Sequence, residues 1–323
     1  MYTISDLGQL EEIYMALHPS ELYLKYSGQL IDALVNNDVN VTLFVPEIKW
    51  TTKEPLDLSD QVNQVYIKQS ILGCIQYSTR NWGFFSGSDF LFDSSVERFT
   101  DNFGDLPFHF RENQPSTRPI DFSNACITSD GNVAVLSKKT SRKISDLENE
   151  LNVEFIPSYI DLDIDFFMNF VSSDVVVYNH AMAEQLGKYD IFFVDDKGKI
   201  DEEAYSRILR TLDNTAETLA KKGYHIIEIQ RDLNIFRKYS VKHHLPLIGN
   251  ILTIGDNKVV MLKDFPADYL EFHGSKNVPD ELRKQGIDVY EVNLFDSEYK
   301  IRDDRFFEMM AGPRCMTLPK RIY

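Results

Sequence analysis

The sequence predicts an α/β protein built from five ββαβ-like repeats set in a closed ring around a central site. Three observations predict it. One supersecondary order can be read five times along the 323 residues. No Pro/Gly/Ser-rich linker separates the copies, so residues 1–323 read as a single domain. Each copy also has an apolar sheet face that needs a neighbour, and a ring gives every unit two.

The first unit, residues 11–46, has the apolar strand EIYMAL, a helix around Gly28 to Val35 and the strand VNVTLFV. The second, residues 77–110, has TRNWGFF, the turn Gly87-Ser88-Asp89, FLF, a short helix near Val96 to Asn102, and FHF. The third, residues 121–157, has NACIT, the turn Asp130-Gly131, VAVLS, a helix from Lys143 to Leu151, and VEFIP. The fourth, residues 160–230, opens on the aspartate-rich strand LDIDFFMNF and turns at Ser172-Ser173-Asp174. It continues through VVVY, a helix reaching Lys222, and HIIEI after Gly223. The fifth and clearest begins at Gly249-Asn250 with ILTI, turns at Gly255-Asp256-Asn257, and continues as VVML. A helix from Pro279 to Gln285 stops at Gly286, the residue a helix C-terminus favours, and DVYEVNL (Asp288 to Leu294) alternates as a half-buried strand.

Composition excludes several classes of function. Hydrophobic residues at 43% and charged residues at 26% are ordinary for a globular chain. Fifty acidic against 34 basic residues leave a formal net charge of -16, a field that repels phosphate backbones, so no nucleic-acid partner is expected. No apolar run approaches the ~20 residues that span a bilayer, and no secretory signal is visible, so no membrane association is expected. Three cysteines, Cys74, Cys126 and Cys315, form no CxxC pair and leave at least one thiol free, which points to a reducing, cytoplasmic setting. No phosphate-binding glycine loop, HExxH or serine triad is present, and no cofactor is expected.

The most specific string is Ala311-Gly312-Pro313-Arg314-Cys315-Met316-Thr317-Leu318-Pro319. Flanking prolines and a glycine constrain this loop, and a fixed thiolate beside an arginine is a nucleophile arrangement. The alternative is an incidental buried thiol, the reading that suits Cys74 and Cys126 in their apolar runs. Asp161, Asp163 and Asp165 alternate in the fourth unit, so a strand would point all three to one face. Buried carboxylates need a cation or hydrogen-bond donors. A solvated edge strand is one alternative, and a divalent metal on an oxygen-rich face is another.

AGPRCMTLP resembles the nucleophile loop of the arginine deiminases, members of the guanidine-modifying (pentein) superfamily that also contains the arginine:glycine amidinotransferases. SDLGQLEEIYMALHP at residues 5–19 resembles the family's opening segment, and GNILTIGDNKVVM followed by ELRKQGIDVYEV is similar to its last repeat. The resemblance implies a five-bladed α/β propeller and an enzyme, deiminase-like hydrolase or amidinotransferase. It would act through a covalent amidino-cysteine on a small arginine-like guanidino substrate, with an amine acceptor if the reaction is transfer. Cys315 would be the nucleophile. Asp163 stands where the family's catalytic histidine belongs, and Asp165 falls on its aspartate. Asn81 replaces a family aspartate, and Asp121, where deiminases tend to have Glu, leans toward the transferase branch. Asp161, Arg314, Asn250 and His244 complete the implied substrate contacts. The loss of the histidine leaves a second reading, a catalytically degenerate member that binds a cationic guanidino ligand or a protein arginine. Oligomerisation is compatible with the sequence.

Overall fold

The computed structural model describes residues 4–16, 21–46, 62–67, 83–86, 89–92, 126–160, 162–180, 202–229, 250–262, 278–292 and 312–322. The expected helix near Val96 to Asn102 and the strand FHF lie outside them. Three sheets have the same three-strand plan. They are β6 (Ile127–Ser129), β7 (Val133–Leu136) and β8 (Glu154–Pro157); β9 (Met168–Phe170), β10 (Val175–Tyr178) and β11 (His225–Glu228); and β12 (Leu252–Gly255), β13 (Lys258–Leu262) and β14 (Asp288–Val292). In each, the central strand is antiparallel to the first and parallel to the third. The antiparallel step needs only a tight turn, whereas the parallel step needs a crossover, and a helix supplies it. Those helices are α2 (Ile144–Leu151), α3 (Glu202–Lys221) and α4 (Val278–Lys284). The antiparallel pair β4 (Gly83–Ser86) and β5 (Asp89–Phe92) forms a further sheet.

The first unit follows this plan with an unexpected partner. Strand β1 (Gln9–Ala16), helix α1 (Glu21–Val35) and β2 (Asn40–Pro46) make the parallel step, and β3 (Val62–Ile67) extends the sheet. The antiparallel outer strand comes from the other end of the chain. This is β15 (Thr317–Ile322), which pairs with β1 from Met15↔Thr317 to Gln9↔Ile322. Among the described residues β15 is the outermost strand of this sheet, a position where Pro319 is tolerated. Strands β1 and β15 therefore share one sheet, and the Cys315 loop is anchored immediately before β15.

Burial follows the expected periodicities. On α3, Ile208, Leu212, Ala216 and Leu219 are buried at helical spacing, and on α2 Leu147 and Leu151 are. The main core cluster joins Ile13 and Met15 of β1, Leu30, Ile31 and Leu34 of α1, Val41 and Leu43 of β2, and Leu212 and Leu219 of α3. Gly286 ends α4 with φ 78°, a left-handed conformation, and the following Ile287 N–H donates back to Leu282 at 3.0 Å. Between the third and fourth units, Tyr224 sets its ring edge-on to Phe170 and donates its hydroxyl to Asp130 Oδ2 at 2.7 Å. Burial, and then that hydrogen bond, push the Tyr224 phenol up, so it stays protonated.

The expected strand LDIDFFMNF is corrected. The chain turns through a 3-10 helix at Ile164–Phe166, and only Met168–Phe170 joins the ladder. Residue 161 lies outside the described set, and the alternation does not place the aspartates on one strand face. Side-chain amides account for the difference, because they offer the backbone other partners than a neighbouring strand. Asn169 and Asn250 both donate to the Asp165 carbonyl, and Asn179 donates from its Nδ2 to the Phe166 carbonyl.

Phe170 is fully buried between these layers. Replacing it by Ala should cost about 3–5 kcal/mol. Urea unfolding with unchanged m-value would read this, and a loss below about 1 kcal/mol would contradict the packing described.

Candidate active site

Cys315 sits on a tight turn that runs directly into β15. The Met316 N–H donates to the Gly312 carbonyl at 3.2 Å, and Thr317 Oγ1 donates to the Pro313 carbonyl at 3.0 Å. Cys315 is 5% exposed, yet its sulfur faces polar groups. Asn250 Nδ2 donates to Sγ at 3.1 Å, and the thiol lies 3.5 Å from Asp165 Oδ2 in donor geometry. Asn250 Oδ1 in turn accepts the Cys315 N–H at 3.1 Å, and Nδ2 also reaches the Asp165 carbonyl at 3.2 Å. One carboxamide at the head of β12 thus grips both the main chain and the sulfur of Cys315 and ties them to Asp165.

This grip depends on Gly312. A Cβ at that position would lie 2.5 Å from both Cβ and Oδ1 of Asn250. Real carbon atoms do not approach so closely, so the loop can pack on Asn250 only without a side chain there.

Asp165 is completely buried. Its neighbour Asp163 is half-buried and precedes the 3-10 turn in extended conformation. A buried carboxylate beside a thiol and two carboxamides can take a proton from sulfur or receive a cation, but it needs such partners to be tolerated.

Arg314 points elsewhere. Its guanidinium is 1% exposed and donates to Asp6 Oδ2 (2.7 Å), the Ile127 carbonyl (2.9 Å), Thr128 Oγ1 (3.0 Å) and Asn169 Oδ1 (2.5 Å). Asp6 also accepts from Thr128 Oγ1 and the Ser129 N–H. These bonds tie the Cys315 loop to the N-terminal segment and to β6 and β9.

Of the residues singled out in the sequence, Cys315, Asp165 and Asn250 come together, and Asp163 lies two positions away in the chain. Asn81, Asp121, Asp161 and His244 lie outside the described residues, as does Cys74. Cys126 is buried at the start of the third unit. His180 sets its two ring nitrogens 3.9 Å from Asp213 and from Glu228, and stacks edge-on to Tyr178. Among the described residues, no group of three or more His, Cys, Asp or Glu side chains is arranged to hold a metal ion. The roles of Asp6, Asn169 and Gly312 were not read from the sequence. Asn169 did leave a signal, a carboxamide inside the apolar run FFMNF.

A family model described as arginine deiminase matches residues 127–321, more than half of the chain. The chain belongs to the arginine deiminase family, within the pentein superfamily. No curated protein matches it by sequence. Solved structures similar to it include C. jejuni agmatine deiminase, with TM-score 0.65 and 14% identity, over 100% of this chain and 96% of that one. C. jejuni agmatine deiminase with substrate bound gives TM-score 0.63 and 11% identity over 99% and 96%. An amidinotransferase of the saxitoxin biosynthetic pathway from Microseira wollei gives 0.51 and 12% over 99% and 96%. At these identities the likeness establishes the α/β pentein fold.

Gly312→Ala should displace the Cys315 loop, because neither Asn250 nor the backbone can yield far in a packed site. The expected cost is about 1–3 kcal/mol of stability, read by chemical unfolding. An alanine variant as stable as the parent would contradict the close approach.

Proposed function

We propose that the protein is a cysteine-dependent enzyme that modifies the guanidino or amidino group of an arginine-like small molecule. The carrying observation is the 3.5 Å approach of Cys315 Sγ to Asp165 Oδ2, between residues 150 positions apart, in a member of the arginine deiminase family. Asp165 takes the thiol proton, and Asn250 Nδ2 stabilises the sulfur anion by donating to it. The thiolate attacks the central guanidinium carbon and an S–C bond forms. The C–N bond to the departing amine breaks as that nitrogen gains the proton the thiol gave up, passed by way of the Asp165 and Asp163 carboxylates. The product of this half-reaction is an amidino-cysteine. In hydrolysis the departing amine is ammonia. Water, losing its protons to the Asp165 and Asp163 carboxylates and on to solvent, attacks the amidino carbon as the S–C bond breaks, giving a ureido product and the thiolate. In transfer the alkylamine departs and an acceptor amine attacks in the same way, giving a new guanidino product.

The family model favours hydrolysis, while Asp121 favours transfer, and the fold accommodates both. The five sheets among the described residues, and the pairing of β15 with β1, support a single domain closed as a five-bladed ring with Cys315 facing its centre. A free nucleophilic thiol suits a reducing compartment, and we place the protein in the cytoplasm. A second reading rests on Asp163. With a carboxylate where the family has its histidine, the site would bind a guanidino cation without turning it over.

Incubation with arginine, agmatine and related guanidines, with and without amine acceptors, tests these readings. A ureido product marks hydrolysis, and a new guanidino product marks transfer. Cys315→Ala should reduce turnover to background, and Asp165→Asn should lower it about 10²–10⁴-fold. A chloroacetamidine-type reagent should label Cys315 much faster than Cys74 or Cys126. Absence of turnover across the panel, with equal slow labelling of all three thiols, would contradict the enzyme reading.

A further inference from the structure

We infer that Asn169, held by Arg314, is a positioning residue that sets Asp165 against Cys315. The inference rests on the cysteine-dependent reading of that site. Asn169 is 1% exposed in β9, where an apolar residue would pack without needing a hydrogen-bond partner. Both ends of its carboxamide are engaged with residues that flank the chemistry. Nδ2 donates to the Asp165 carbonyl at 2.9 Å, and Oδ1 accepts from Arg314 Nη1 at 2.5 Å. Arg314 immediately precedes the nucleophile. One side chain therefore links the main chain of the carboxylate residue to the residue beside the thiol.

This link runs separately from Asn250, which ties Asp165 to Cys315 by its own carboxamide. The Asp165 carbonyl thus accepts two side-chain amides, one from β9 and one from the head of β12, and the 3-10 turn at Ile164–Phe166 is fixed between them. Arg314 is itself immobilised. The Asp6 carboxylate, the Ile127 carbonyl and Thr128 Oγ1 hold its guanidinium, so Asn169 is anchored on a rigid ion pair. Reacting groups in such a site must be held within about 0.5 Å, and a misplacement of about 1 Å can cost about 10²-fold in rate.

Asn169→Leu tests this, since it removes both hydrogen bonds without adding charge and leaves Arg314 its bonds to Asp6, Ile127 and Thr128. The folded variant should lose about 10–10²-fold in kcat with KM within about threefold. Its Cys315 should alkylate with iodoacetamide at a rate and pH midpoint displaced from wild type, with Cys126 as the internal reference. A role in stability alone would lower the melting temperature and leave the KM-against-kcat split and the alkylation profile unchanged, which would overturn the inference. If Asn169→Leu does not fold, Arg314→Lys, which keeps a cation for Asp6 and loses the fork to Asn169, is read by the same measurements and the same criteria. A wild type inert toward guanidines whose Cys315 alkylation still responds to Asn169 supports the positioning role and overturns the proposed function instead.

Discussion

The site is clasped by the carboxamide of Asn250. It accepts the Cys315 N–H, donates to the Cys315 sulfur and reaches the Asp165 carbonyl. This one side chain touches both the main chain and the sulfur of Cys315. Because the groups involved are buried, a hydrogen bond lost without replacement costs about 1–3 kcal/mol. That penalty makes the arrangement specific as well as stable. Gly312 is bound to the same constraint, since only a residue without a Cβ lets the loop come so close.

Around this clasp the fold supplies stiffness from both ends of the chain. Arg314 joins Asp6, β6 and β9, and Arg321 on β15 donates to the carbonyls of Gly8 and Thr253 at 2.9 and 2.6 Å. A buried ion pair such as Asp6–Arg314 adds little stability over well-packed apolar residues, but removing one partner is strongly destabilising. Its value here is geometric. Cys315 lies between β15, which zips onto β1, and an arginine locked into two other sheets, so its position is set by several units together.

Local chemistry made much of the fold legible in the sequence. Gly286 stops α4 as read, Ser172 Oγ caps its turn on Asp174 at 2.7 Å, and the β7–β8, β10–β11 and β13–β14 crossovers fall where strand and helix periods alternate. Long-range pairing was not legible. TLPKRI carries a proline and two cations and shows no clean alternation, so nothing local announces that it pairs with β1 some 300 residues away. The aspartate run was misread for a related reason. Period two suits a strand, and the decisive competitors were carboxamides, one of them 85 positions distant. The family was legible because AGPRCMTLP is a long and constrained string. The direction of Arg314 was not, since an arginine beside a cysteine reads as an electrostatic partner until its buried acceptors are seen.

In the proposed reaction a planar cation is brought to a thiol held between a carboxylate and an amide donor, and the amide is in place before the sulfur becomes charged. The central claim is that Cys315 becomes covalently amidinated, and trapping that species tests it most directly. Rapid acid quenching during incubation with a guanidino substrate, followed by peptide mass mapping, should find an amidino adduct on the Cys315 peptide. The adduct should be missing from the Cys74 and Cys126 peptides. Product formation from the same mixture with no adduct on Cys315 at any quench time, undiminished in Cys315→Ala, would contradict the account.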